Sequence, residues 1–322
     1  MIALTFTDYW FVIIPALYNL LTILISLVEV VIIIRASFKK EKTTFKSSFY
    51  QIFAVDTVLR ITEAVCFFMN CRMEIAPMFH EYFASLVETY NFWTQLVPIL
   101  MYYTAFACQW MNLVLTFNRF TVFWMKAKYA VFWKRHTLRI TIIALVIPLA
   151  PTIPMWTECF AIYLDEWNFV SWDHKIHPAW SNSDSAMAMF VPSAFPALVM
   201  NLWMTAKLVG SSSVAAKATR SDKRLWVLTL SMFLFNLLTT TVQFLFNIEI
   251  VAANYLLVMH AQTIFFDLTV LLPSWVILWT SASFRSEVVF VTTFGKVHLA
   301  ESEFLQPTAH SMGSVSAGTA LI

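Results

Sequence analysis

The chain has 322 residues, 59% of them apolar and only 12% charged, with 30 Phe and 13 Trp against 4 Gly. That charged fraction is about half of what soluble domains carry, and one core could not hide so much apolar surface from water, which excludes an ordinary soluble domain and makes lipid the solvent. The net charge of +2 is not gathered on a polar scaffold, so nothing suggests nucleic acid as a partner.

A helix needs about 20 apolar residues to cross roughly 30 Å of hydrocarbon. Seven segments of that kind follow one another at about 11–34, 49–69, 94–117, 139–157, 186–209, 225–248 and 256–280. The first is too long for a cleaved signal sequence and nothing basic precedes it, so it reads as a retained anchor helix. Asn19, Thr22, Ser26 and Glu29 share one of its faces. Glu29 lies about six residues, or ~9 Å, from the inner end, which places it within reach of the interface. The second segment carries Asp56, Arg60, Glu63 and Asn70 at helical spacing, and its charges can neutralise one another locally. In the third, Gln95, Tyr102, Gln109, Asn112 and Thr116 align. The fourth is short and holds Pro148, Pro151 and Pro154; the fifth holds Pro192 and Pro196. The sixth aligns Asn236, Thr239 or Thr240, Gln243 and Asn247, and the seventh His260, Thr263, Asp267 and Ser274. Residues 283–294 read as a short amphipathic helix on the membrane surface, and 295–322 as a disordered cytoplasmic tail.

A polar group pointing into lipid tails would lack a partner, so each stripe must face protein or trapped water. Five such helices imply one closed bundle: an all-α membrane protein of seven transmembrane helices, spanning about residues 1–282. Hydroxyl and amide stripes can serve as interhelical glue, at about 0.6 kcal/mol per pair. A charge at the membrane centre costs at least ~2.5–3.5 kcal/mol and points toward function. Glu29, Asp56, Arg60, Glu63 and Asp267, with Asn112, are therefore the candidate intramembrane network. Asp267 has no basic partner in its own helix and is expected to pair across the bundle with Arg60 or to be protonated. Gln95, Tyr102, Gln243, Asn247 and His260 stand among aromatics in the outer halves of three helices, the composition of a small-molecule pocket, although aromatic packing accounts for them equally well.

Inner loops retain Lys and Arg because these resist translocation. With the N-terminus outside and the C-terminus cytoplasmic, only three of the 21 Lys and Arg fall away from the inner loops and tail: Arg60 within the second segment, and Arg72 and Lys175 outside. Of the four cysteines, Cys66 and Cys108 sit inside helices, and none has metal-ligand spacing. Cys71 and Cys159 fall near the outer face, where disulfides persist, and a bridge would tie the first outer loop to the second.

At the inner end of the third segment stands Asn118-Arg119-Phe120, where many seven-helix receptors carry an Asp/Glu-Arg-Tyr triplet. With SSFYQIFAVD (Ser47 to Asp56), LTFNRFTVF (Leu115 to Phe123) and DLTVLLPSWVIL (Asp267 to Leu278), the chain resembles the nematode serpentine receptors, most closely the class gamma (Srg-like) chemoreceptors, over about residues 10–290. The resemblance implies a chemosensory receptor of the plasma membrane, in sensory cilia or elsewhere, that binds a small molecule and couples to a heterotrimeric G protein. It also implies that Asn118 and Arg119 form the switch at the coupling face. The chain departs from the rhodopsin-like pattern at Asn118, which replaces an acid, and at Leu272-Pro273-Ser274-Trp275 in the seventh helix. That helix has no lysine, so no retinal cofactor is expected, and none of another kind is implied. A transporter or channel would use the same intramembrane acids, but the halves do not repeat each other. An enzyme would need a cluster such as H-E-x-x-H, which is absent.

Overall fold

In hydrocarbon every backbone N–H and C=O must find its partner within the chain, which leaves helices as the means of crossing for apolar runs of this length. The computed structural model describes residues 9–38, 44–73, 76–86, 92–125, 128–157, 160–164, 170–174, 182–210, 220–245, 255–281 and 284–288. Seven long helices dominate them: α1 (Ile14–Phe38), α2 (Ser48–Phe67), α3 (Phe92–Met125), α4 (Tyr129–Val146), α5 (Asn182–Gly210), α6 (Arg220–Leu245) and α7 (Tyr255–Thr280). Along their apolar stretches the exposed side chains are mostly Leu, Ile, Val and aromatic residues. On α1 Leu17, Leu20, Leu24, Leu27 and Val31 are among the exposed side chains, while Asn19, Thr22, Ser26 and Glu29 are buried on the opposite face. A water-soluble helix has the reverse arrangement.

Five long helical segments are apolar enough to cross a membrane by length and composition alone: those of α1, α4, α5, α6 and α7. The remaining two, α2 and α3, share the most extensive helix interface in the bundle. Their polarity has a physical reason. Asp56, Arg60 and Glu63 of α2 and Gln109, Asn112, Asn118 and Arg119 of α3 are all buried among neighbouring helices, so these two can carry groups that lipid would reject.

The helices extend beyond the apolar segments read from the sequence. At 34 residues α3 is ~50 Å long, some 20 Å more than the hydrocarbon core. It continues past Phe117 to Met125, and α4 begins at Tyr129 rather than near 139. Aromatic packing holds this extension together: Trp133 is buried, its ring meets Phe117 and Phe132, and its Nε1 donates to Thr121 Oγ1 at 2.7 Å. Lys134, Arg135 and Arg139 consequently ride on a helix instead of a loop. After α4 the chain turns at Ile147–Pro148, where proline has no N–H to continue the ladder, and resumes as Leu149–Thr157. At the outer end of α2 the helix widens into a π turn, Phe68–Arg72, which keeps Arg72 buried against the bundle; it does not stand in the outer loop.

An antiparallel hairpin of β1 (Phe160–Leu164) and β2 (Val170–His174) is an addition to the all-helical expectation. It lies against the short helix His80–Ala84 and the outer part of α3, over the outer face. Residues 284–288 are helical, with Phe284 buried against Phe45 and Tyr50. The rest of the 283–294 surface helix and the 295–322 tail lie outside the described residues.

Candidate functional site

Three polar clusters follow the bundle from its inner to its outer end. The inner one is built on Asn118 and Arg119, which α3 carries past its apolar segment and buries against residues of α2, α4 and α6. Asn118 Nδ2 donates to Ser48 Oγ at 3.0 Å. Its Oδ1 accepts from Arg119 Nη2 at 2.6 Å, from Arg119 Nε at 3.2 Å and from the Tyr129 hydroxyl at 3.1 Å. The Tyr129 oxygen in turn accepts from Arg119 Nη2 at 3.2 Å and pairs with Ser48 at 3.2 Å. With its proton committed to Asn118, Tyr129 must receive from Ser48, and the four side chains close a circuit in which each hydroxyl both gives and accepts. The guanidinium also lies 4.4 Å above the Phe49 ring, a cation–π contact. Asp222, in the first turn of α6, is 3.9 Å from Arg119 Nη1. The acid missing at position 118 is thus replaced by a neutral amide and a phenol, with a carboxylate supplied at longer range by another helix.

The middle cluster centres on α2. Arg60 Nε donates to Asp56 Oδ2 at 2.7 Å and Arg60 Nη1 to the Thr269 carbonyl of α7 at 2.6 Å. Glu63 meets the Cys108 thiol of α3. Nearby, Gln109 donates to Asn236 of α6 at 3.1 Å, Thr239 pairs with Thr269 at 2.7 Å, and Ser26 with Ser274 at 2.7 Å. Glu29 is fully buried, with the Ser274 hydroxyl facing it; it does not reach the interface, because α1 runs on to Phe38 and carries the helix end away. Neither oxygen of Glu29 is within hydrogen-bond geometry of a described residue, and the same holds for Asp56 Oδ1, Asn112 Oδ1 and Thr116 Oγ1. Buried groups of that kind are ordinarily met by water.

The outer cluster is one that sequence reasoning assigned differently. Asp267 pairs with Arg72 and accepts from the Tyr18 hydroxyl, joining α7, the π turn after α2, and α1. Arg72 Nη2 is also 3.3 Å from the Tyr18 oxygen. Arg60, the expected partner, is committed to Asp56 one layer deeper. Of the two missed residues Tyr18 carried a signal, lying four residues before Thr22 on the polar face of α1; Arg72 carried none, because at α-helical spacing it falls on the far side of α2 from Glu63, and it is buried only where the helix widens into the π turn. A cavity of about 380 Å³ adjoins this cluster between α1 and α7, with Tyr18, Thr22, Asp267 and Trp275 among apolar walls.

Of the expected pocket, α3 supplies Gln95 and Tyr102, both half-buried. Tyr102 lies 6.1 Å from Phe106, which meets Phe190 of α5 edge-on at 5.8 Å, and together they form an aromatic wall. Gln243 and His260 lie on α6 and α7, but their side chains, like all of Asn247, are outside the described residues. Cys71 Sγ is 3.9 Å from Met101 Sδ, while Cys159 is outside the described residues, as is any bridge between the two. Among the described residues no three His, Cys, Asp or Glu side chains are grouped as metal ligands.

No curated protein matches the chain at a significant level. A family model described as Srg family chemoreceptor matches residues 13–288, which takes in all seven helices and the three polar clusters. The protein is multi-pass in the membrane, and the chain belongs to the Srg family of chemoreceptors.

Proposed function

We propose that this receptor binds a small molecule between the outer halves of its helices and signals through a heterotrimeric G protein at its cytoplasmic face, in the plasma membrane. The observation that carries the reading is the buried circuit around Arg119, in which a guanidinium at the inner end of the bundle is held by side chains of α2, α3 and α4 and faced by Asp222 of α6. A cation held this way can exist in two arrangements, bound within the bundle or released to a partner. A ligand shifts the balance between them only by its differential affinity for the two. The ligand would rest against Tyr102, with Gln95, Gln243, Asn247 and His260 around it, and a Cys71–Cys159 bridge would brace the outer loops. The positive-inside distribution of Lys and Arg supports a cytoplasmic Arg119 face.

The test is nucleotide exchange on purified Gα and Gβγ with the reconstituted receptor, using a ligand found by a second-messenger screen in cells. Arg119→Ala is expected to reach the cell surface normally and lose ligand-evoked exchange. Full exchange by that variant, or ligand-evoked current or uptake without any G protein, would overturn the reading.

A further inference from the structure

The cavity of about 380 Å³ between α1 and α7 opens sideways to the hydrocarbon: Ile264, Leu268 and Trp275 are exposed around it, and Leu271 is buried behind them. Among the described residues lining it, Tyr18, Thr22, Asp267 and Trp275 carry polar groups. Thr22 Oγ1 donates to the Tyr18 carbonyl at 2.8 Å and accepts from Trp275 Nε1 at 2.9 Å. The Tyr18 hydroxyl donates to Asp267 and faces Arg72. Asp267 is the exception. A carboxylate has about four acceptor sites, and the bonds from Tyr18 and Arg72 both fall on Oδ2. Asn19 stands beside the group, its amide already donating to the Pro15 carbonyl at 2.9 Å. Even with Asn19 counted, the donors leave the carboxylate unfilled; Oδ1 keeps acceptor capacity, and the side chain is 12% exposed. Lipid tails carry no N–H or O–H to meet it. Arg72 already supplies the countercharge, which removes the advantage of a cationic ligand. The chemistry that fits is an apolar body with one hydroxyl and no second polar group. At ~30 Å³ per heavy atom, the share of a water in the liquid, the volume holds roughly a dozen.

We propose that this cavity is a second ligand site, separate from the one around Tyr102, which takes a lipophilic alcohol from the bilayer. The hydroxyl donates to Asp267 Oδ1, and the chain lies along Leu268, Leu271 and Trp275. Asp267 ties α1 and α7 to the π turn after α2, so an occupant stabilises that part of the bundle by mass action. The site does not depend on coupling to a G protein.

The experiment uses the full-length chain in phosphatidylcholine nanodiscs and a decanol derivative bearing a diazirine at its far end. Light should attach this probe saturably to the α7 peptide that contains Ile264 and Trp275. Labelling should fall at least tenfold in Leu268→Trp, which fills the cavity from an exposed position, and stay at the parental level in Leu202→Trp, the same change on an exposed position of α5. Decanol should compete about tenfold better than decyl methyl ether, the difference that one hydrogen bond to a charged group makes. That advantage should vanish in Arg72→Met/Asp267→Leu, which removes the acceptor and keeps the wall apolar. Labelling that does not saturate, or that is equal in the parent and Leu268→Trp, would show that acyl chains fill the groove and would overturn the site. Equal competition by alcohol and ether, or an alcohol preference that survives the double variant, would overturn the role of Asp267. Decylamine competing better than decanol would overturn the neutral hydroxyl and assign a cationic amine. None of these readouts involves nucleotide exchange, so failure here leaves the coupling proposal standing.

Discussion

Removing a single oxygen, in Tyr129→Phe, tests how Arg119 is restrained. The ring and its contact with Trp133 remain, while three hydrogen bonds go: from Arg119 Nη2 at 3.2 Å, to Asn118 Oδ1 at 3.1 Å, and with Ser48 at 3.2 Å. A bond to a charged group contributes about 1.5–3 kcal/mol and a neutral one about 0.5–1.5. Arg119 keeps its two bonds to Asn118, so the loss falls in the range of about 1.5–3 kcal/mol, not at the full sum. If the circuit exists only in the resting arrangement, that shifts the balance roughly 10- to 150-fold toward release. From a resting ratio of 1:99, the lower figure alone raises the active share to about 9%. Asp222→Asn is the contrast. Its carboxylate is 3.9 Å from the guanidinium and its side chain 25% exposed, so screening limits the pair to about 0–1 kcal/mol, at most roughly fivefold. Ligand-free nucleotide exchange in nanodiscs should therefore rise more in Tyr129→Phe than in Asp222→Asn, and the order is the test. If Asp222→Asn is the more active variant, the ion pair and not the neutral circuit holds the receptor. If neither variant differs from the parent, Arg119 is not the restrained element.

Breaking the outer clamp should cost stability more than signalling. Arg72→Met leaves the largely buried Asp267 carboxylate without its cation, an effect on the order of 3–5 kcal/mol. Thermal inactivation in detergent should fall by many degrees, and Arg72→Met/Asp267→Leu should regain most of the loss; a single variant as stable as the parent would mean the pair holds nothing. Non-reducing peptide mapping of the surface-expressed receptor should yield a linked peptide containing Cys71 and Cys159, and recovery of both as thiols rules the bridge out.

The fold class was legible because lipid inverts the usual pattern: α1 alone separates Asn19, Thr22, Ser26 and Glu29 from its Leu and Val residues by half a turn. Partners were less legible, since a stripe fixes which way a residue points and not how far its helix runs. From the sequence Asp267 is expected either to pair across the bundle or to be protonated, and Arg72 reads as a loop residue because apolarity fades near 69; a π turn, stabilised by what it packs against, has no signature in hydropathy. The same limit hid the α3–α4 extension. Its helical character rests on Trp133 and the Phe117–Phe132 contact, which are tertiary. Arg119 was visible as an interruption of an apolar run, while Tyr129, ten residues on, joins it only because α4 starts where it does.

The polar bonds also divide the bundle by how firmly each helix is held. Ser26–Ser274, Trp275–Thr22 and the Arg72–Asp267–Tyr18 cluster fasten α1, α2 and α7 together. Asn118–Ser48, Trp133–Thr121 and Tyr103 to the Leu145 carbonyl add α3 and α4 to the same body. On α5 the described polar groups turn to their own helix: Ser193 to Met189, Asn201 to Ala197 and Thr205 to Asn201 carbonyls. It meets α3 through ring contacts, Phe106–Phe190 and Phe120–Trp203, and carries Pro192 and Pro196. Ring contacts tolerate sliding that a directional bond does not, and each proline leaves a backbone position without its hydrogen bond. The inner end of α5 should therefore move when the G protein binds, while α1 stays with α4. Spin labels at Val131 and Val209, both exposed at the inner side, should change separation on adding G protein, and a Val131–Phe38 pair should not. Equal shifts in the two pairs would show that the directional bonds do not define the rigid part of this receptor.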